Sequence, residues 1–126
     1  MKKELEIGLS REESFIIKDC NSAKYLGSGS LEVLATPAMV AFMENTAMNC
    51  VSEFLDEGMD TVGVMINTTH IKASKIGDSV VCKASLSEID GRKLCFTITA
   101  SDSKGIIGEA KHERFIINKD KFLSRL

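Results

Sequence analysis

Thr36-Pro37-Ala38-Met39-Val40-Ala41-Phe42-Met43-Glu44-Asn45-Thr46-Ala47-Met48 reads as a helix start followed by helical hydrophobic repetition, and this stretch decides the fold. Pro37 is the only proline in the chain. Its fixed φ and missing N–H are harmless at the first helical position, with Thr36 before it as the expected N-cap. The apolar pattern runs through Leu55, and Gly58 stands where such a helix should end. Val40, Glu44, Met48 and Val51 fall at spacings of four, four and three, so they share one helix face. Glu44 therefore interrupts an apolar stripe. An unpaired carboxylate in such a place is costly, so it finds a partner, changes protonation or faces a cavity. That placement makes Glu44 the first candidate for chemistry.

On the N-terminal side, residues 5–9 and 14–18 look like short strands, and the Gly-Ser-Gly-Ser passage within 23–30 looks like a flexible loop. Beyond Gly58 the period changes from helix to strand. Val62, Val64, Ile66, Thr68 and His70 alternate with Gly63, Met65, Asn67 and Thr69. A second long strand is expected over 80–89, and Asp90-Gly91 signals a hairpin. The return strand, 93–101, puts Leu94, Phe96, Ile98 and Ala100 on one face, and a further strand follows at 106–117. Strands, a long helix, then a meander of antiparallel strands make an α+β plan. With no internal repeat and no linker, residues 1–126 read as a single domain. One helix on one curved sheet leaves little core, which favours pairing with a second copy.

The totals narrow the function. Hydrophobic residues are 44% and charged residues 27%, an ordinary globular balance. A net charge of −2, with basic residues scattered, leaves no electrostatic footprint for nucleic acid or anionic membrane. Cys20, Cys50, Cys82 and Cys95 form no CxxC pair and no metal-finger spacing, so reduced thiols and a cytoplasmic location are expected. Met1-Lys2-Lys3-Glu4 is not followed by a signal-peptide hydrophobic run, and no segment reaches membrane-spanning length.

Several residues admit both a structural and a chemical role. Glu44 is either a helix carboxylate balanced by a nearby cation or a general base or nucleophile between apolar walls. His70 ends an alternating strand after Thr68-Thr69, and a lone strand histidine is commonly structural. His112, between Lys111 and Glu113, is expected to be solvated or salt-bridged. Thr36 is explained by capping, although the same hydroxyl can face a substrate at a helix start that suits carbonyl polarisation. The methionines of the helix read as core or dimer surface. No Ser–His–Asp arrangement, metal-ligand cluster or phosphate-cradling glycine loop is visible.

Together these residues resemble the hotdog-fold thioesterases of the fluoroacetyl-CoA thioesterase family. The landmarks are Leu34-Ala35-Thr36 leading into Met43-Glu44, then Thr61-Val62-Gly63, Thr69-His70, Ile89-Asp90-Gly91-Arg92, Gly105-Ile106-Ile107-Gly108 and His112-Glu113-Arg114. The resemblance implies a hotdog fold, an antiparallel β-sheet wrapped around one long central helix. It implies a homodimer with sites at the subunit interface, and leaves a dimer of dimers as an open alternative. The substrate would be an acyl-CoA, hydrolysed at its thioester without a metal and with no cofactor beyond the coenzyme A of the substrate. By position, Glu44 would be the nucleophile or the base that activates water, His70 its acid/base partner, and Thr36 a hydrogen-bonding member of the group. Gly63 would bring a backbone N–H near the acyl group, and Arg114 would lie near the acyl pocket. The enzyme of the family that takes fluoroacetyl-CoA carries phenylalanines before the central helix; here Leu26-Gly27-Ser28-Gly29-Ser30-Leu31 has none. A small or unspecified acyl chain is the expected substrate. The alternatives are a non-catalytic acyl-CoA-binding or regulatory protein of the same fold, or an acyl-CoA hydratase/dehydratase.

Overall fold

The computed structural model describes residues 4–126; the basic start at Met1-Lys2-Lys3 lies outside them. The elements run β1 (Ser10–Ile16), α1 (Ala23–Leu26), α2 (Thr36–Val51), β2 (Met59–His70), β3 (Ser79–Asp90), β4 (Lys93–Asp102), β5 (Gly105–Asn118) and α3 (Lys119–Ser124). The strands form one five-stranded antiparallel sheet in the order β1-β3-β4-β5-β2, with α2 lying against it. This is the α+β, helix-in-sheet architecture of a hotdog fold.

Period-two burial builds the sheet face under the helix. Val80, Cys82, Ala84 and Leu86 of β3 are buried, as are Leu94, Phe96, Ile98 and Ala100 of β4. Against them α2 packs Met39, Met43, Ala47, Cys50 and Val51. Each large apolar side chain so enclosed contributes about 1.5–3 kcal/mol relative to exposure. The core-facing line of α2 thus runs through Met39 and Met43. The Val40, Glu44 and Met48 stripe lies beside it and is only half-buried. All four cysteines are free thiols, and burial pushes Cys82 up to about 12, so this core sulfur is an inert hydrophobe.

The sequence expectations need correction at four places. Of the two expected N-terminal strands, the first does not form, since residues 5–9 are coil and turn; the second is part of β1, which begins at Ser10 and pairs with β3 over Ser10↔Ser85 to Ile16↔Ser79. Within 23–30 the chain forms the helical turn α1, because Ser22 Oγ accepts from Tyr25 N and Gly27 closes the turn at φ 74°. The α2 N-cap is Ala35, not Thr36; Thr36 is already helical and its hydroxyl caps nothing. The α-helix also stops at Val51, followed by a 3₁₀ turn Ser52–Phe54, so Gly58 (φ 83°) shapes the entry to β2 rather than the helix end.

One irregularity positions the site. Pairing of β2 with β5 shifts register between Gly63 and Met65: Gly63 opposes Arg114 while Met65 opposes Glu113. Val64 is the extra residue of a β-bulge, 53% exposed. A bulge reverses the parity of a strand, so the face expected to run unbroken from Val62 to His70 is split. Before the bulge, Thr61 and Gly63 face the helix side; after it, Thr68 and His70 do.

Candidate active site

Two groups of side chains meet along the α2–β2 seam. The first is Thr36 with His70. Thr36 opens α2, His70 ends β2, and Oγ1 lies 2.7 Å from His70 Nδ1 in a hydrogen bond. The approach depends on Gly108 of β5, which pairs with His70. A Cβ there would fall 2.5 Å from the Thr69 carbonyl and 2.9 Å from Met39 Sδ. Only a glycine lets the first turn of α2 settle this close to β5 and β2. The other ring nitrogen, Nε2 of His70, is buried and has no hydrogen-bond partner among the described residues. Burial holds the pKa of His70 below its ordinary 6.5, offset in part by the Lys72 backbone. A cleft lined by Ser28, Val33, Thr36, His70, Ile71 and Lys72 opens onto this pair.

The segment after His70 is anchored. Asp102 accepts from Ser74 Oγ (2.7 Å), Lys104 N (2.8 Å) and Lys72 Nζ (3.3 Å). Burial pushes this carboxyl up, but those donors outweigh it and hold it below 3.8. The chain leaving His70 is thereby tied to the β4–β5 turn.

The second group surrounds Glu44, about two turns further along α2. Gly63 lies so close that a Cβ there would sit 3.1 Å from Glu44 Oε2, 3.2 Å from His112 Cε1 and 3.4 Å from Arg114 Nη1. Arg114, 7% exposed, donates from Nε to Thr61 Oγ1 (2.8 Å) and from Nη2 to the Thr61 carbonyl (3.0 Å). Its Nη1 lies 3.1 Å from His112 Nε2. Among the described residues no carboxylate comes within ion-pair distance of Arg114, and Glu44 makes no hydrogen bond. Burial lowers the pKa of Arg114, opposed by the charges of Glu44 and Asp60. The result is a half-buried carboxylate facing a backbone kink and a buried cation, with no partner of its own.

Residues 17–120 match the family described as fluoroacetyl-CoA-specific thioesterase. The chain belongs to that family. By class it is therefore an acyl-CoA thioester hydrolase. It is 29% identical over 132 residues to a fluoroacetyl-CoA thioesterase of Streptantibioticus cattleyicolor, covering 100% of this chain and 95% of that protein. A mutant of the fluoroacetyl-CoA-specific thioesterase, solved with fluoroacetate and CoA, superposes with a TM-score of 0.89 at 28% identity, over 94% of this chain and 99% of that one. A hot-dog-like protein from Thermanaerovibrio acidaminovorans shares the fold alone, at 20% identity and a TM-score of 0.87, over 96% of this chain and 90% of that one.

Within this family member, the five site residues expected from sequence fall into two groups, one of two and one of three. Thr36 and His70 are hydrogen-bonded to each other; Glu44, Gly63 and Arg114 gather around one point. No hydrogen bond joins the two groups among the described residues. Sequence reasoning missed Thr61, which holds the guanidinium. It also misplaced His112, expected at the surface but 1% exposed. Alternation along β5 carried the signal, since His112 shares a face with buried Ala110 and Arg114. Flanking charges hid it. Among the described residues no helix is long and apolar enough to cross a membrane, and no group of three or more His, Cys, Asp or Glu is arranged to hold a metal ion.

Proposed function

We propose that this chain, as one domain, hydrolyses the thioester of a small acyl-CoA, with Glu44 as the attacking carboxylate or the base that activates water. His70 is the acid/base partner, Thr36 holds the His70 ring, and Gly63 and Arg114 bind the acyl end. The thioester carbonyl is already electrophilic and the departing thiolate is a good leaving group. Attack forms the new C–O bond, the carbonyl electrons move onto oxygen, and their return expels the coenzyme A sulfur, which takes a proton. Direct attack by Glu44 adds an acyl-carboxylate anhydride that water then opens. Both routes need the same carboxylate, a proton carrier and donors near the developing oxyanion. No cofactor beyond the coenzyme A of the substrate is required for either.

The observation that carries the assignment is the Thr36–His70 hydrogen bond, which leaves the buried Nε2 of His70 without a partner at the edge of an open cleft. A buried polar atom without a partner costs about 1–3 kcal/mol unless a bound molecule satisfies it. Glu44, about two turns further along α2, also makes no hydrogen bond among the described residues. The glycine-serine run after α1, which places Ser28 at the cleft, brings no aromatic ring to it; this supports a small acyl group without selectivity for fluorine. We assign the working molecule as a homodimer, because β2 is a sheet edge that exposes Val64 and Met65 beside the Glu44 group, and as cytoplasmic, because its four cysteines are free thiols.

The test is thiol release from a series of acyl-CoA thioesters of increasing chain length. Wild-type protein is expected to favour the shortest acyl groups. Glu44→Ala is expected to lower kcat by about 10³-fold or more, in line with loss of a principal catalytic group, while remaining folded. Equal turnover by Glu44→Ala would remove Glu44 from the reaction. Tight acyl-CoA binding with no thiol released by the wild type would make the chain a binding module instead.

A further inference from the structure

The reaction proposed above leaves the most enclosed titratable side chain of the site, His112, without a task. Its two nitrogens face fixed partners of opposite kind. Nδ1 lies 2.8 Å from the carbonyl oxygen of Met65, which can only accept. Nε2 lies 3.1 Å from Nη1 of Arg114, which can only donate. One form of the ring satisfies both: neutral, with its proton on Nδ1. Protonation of Nε2 would turn a hydrogen bond into a clash of two N–H groups beside a like charge.

Both partners belong to the Glu44 group. Met65 is the first residue of β2 back in register after the bulge, and Gly63, just before the bulge, abuts Glu44. Arg114 is held by Thr61 on one side and His112 on the other. We propose that His112 is a positioning residue: as the neutral Nδ1–H tautomer it ties the β2 bulge to the Arg114 guanidinium, and so fixes Gly63 and Arg114 against Glu44. It touches no reacting atom in this role. The ring is set by groups from every element packed on it. Arg114 and Glu113 lie on β5, Glu44 faces it from α2, and Phe96 of β4 stands at a ring-centroid distance of 6.2 Å. Burial, with Arg114, outweighs the carboxylates and the Met65 carbonyl, and keeps the ring uncharged at neutral pH.

The inference rests on the thioesterase reading for its rate measurements only, so the test has two arms. In the first, acetyl-CoA hydrolysis is compared among wild type, His112→Asn and His112→Gln. The shorter amide can still donate to the Met65 carbonyl but offers Arg114 no acceptor; the longer one places its amide oxygen where Nε2 stood. His112→Asn is expected to lose about tenfold in kcat with KM changed less than about threefold, and His112→Gln to recover to within about threefold of wild type. Full activity in His112→Asn, or a His112→Gln variant no better than it, would overturn the proposal. In the second arm, nitrogen NMR of the wild-type imidazole at neutral pH should show a protonated Nδ1 and a bare Nε2. The Arg114 side-chain N–H signals should be sharp in wild type and His112→Gln but exchange-broadened in His112→Asn. A proton on Nε2 overturns the proposal whether or not the variants fold. A wild type that releases no thiol, yet shows the expected tautomer and Arg114 signals, would sink the hydrolytic reading and leave the positioning role standing.

Discussion

The site pairs unlike histidines. His70 keeps one nitrogen for Thr36 and leaves the other without a partner, whereas both nitrogens of His112 are spoken for. Burial holds both rings below the ordinary 6.5. This sets a direction for stability. An unfolded chain takes up protons on histidine near 6.5, while the folded protein resists until a lower pH. As pH falls below about 6.5 the unfolded state binds protons that the folded state refuses, so stability is lost on acidification and is full above that range. Asp78 and Asp102, both held below 3.8, act elsewhere: their contribution is intact above about 3.8 and fades only as pH drops further. The urea midpoint is thus expected to fall between about pH 7.5 and pH 5, with a shallower slope in His112→Gln. A midpoint flat across that interval would contradict neutral burial of the two rings.

Among the elements, contact between α2, β2 and β5 decides whether the residues assemble. Helix α2 and the alternating strands β3 and β4 are legible from sequence because their periods are set locally. The β2 bulge is not. Gly63 and His70 lie an odd number of positions apart, so strict alternation puts them on opposite faces, and only the extra residue Val64 brings both to the helix side. The Thr36 cap failed for a similar reason: a hydroxyl at a helix start suits capping locally, but His70 from another element claims it. Gly108 carries the helix–sheet approach. Gly108→Ala, with its Cβ against the Thr69 carbonyl and Met39, is expected to cost about 1–3 kcal/mol of stability and to lower activity by moving Thr36 from His70. Denaturant titration beside a thiol-release assay checks both. A variant as stable and active as wild type would mean the helix has slack at this point.

At the scale of the whole molecule, the sheet ends on β2, the same strand that carries Gly63 and His70. Two copies joined at that edge would cover Val64 and Met65 and enclose the Glu44 group. Sedimentation is expected to give about twice the 13.8 kDa chain mass, and Val64→Lys to shift it towards the monomer with loss of hydrolysis. A dimer of full activity in Val64→Lys would move the interface away from this edge. The amino-acid sequence by itself determined the long helix, the strand meander, the odd carboxylate at 44 and, through Thr36, Glu44, His70, Gly63 and Arg114, the family resemblance. These are properties of residue type and spacing, which persist whatever the chain does elsewhere. Tertiary structure alone decided which face of β2 each residue takes, whether Thr36 caps or bonds His70, and which groups, the Met65 carbonyl and the Arg114 guanidinium, meet the two nitrogens of His112. Each of those depends on a group from a distant part of the chain, so no local pattern could encode it.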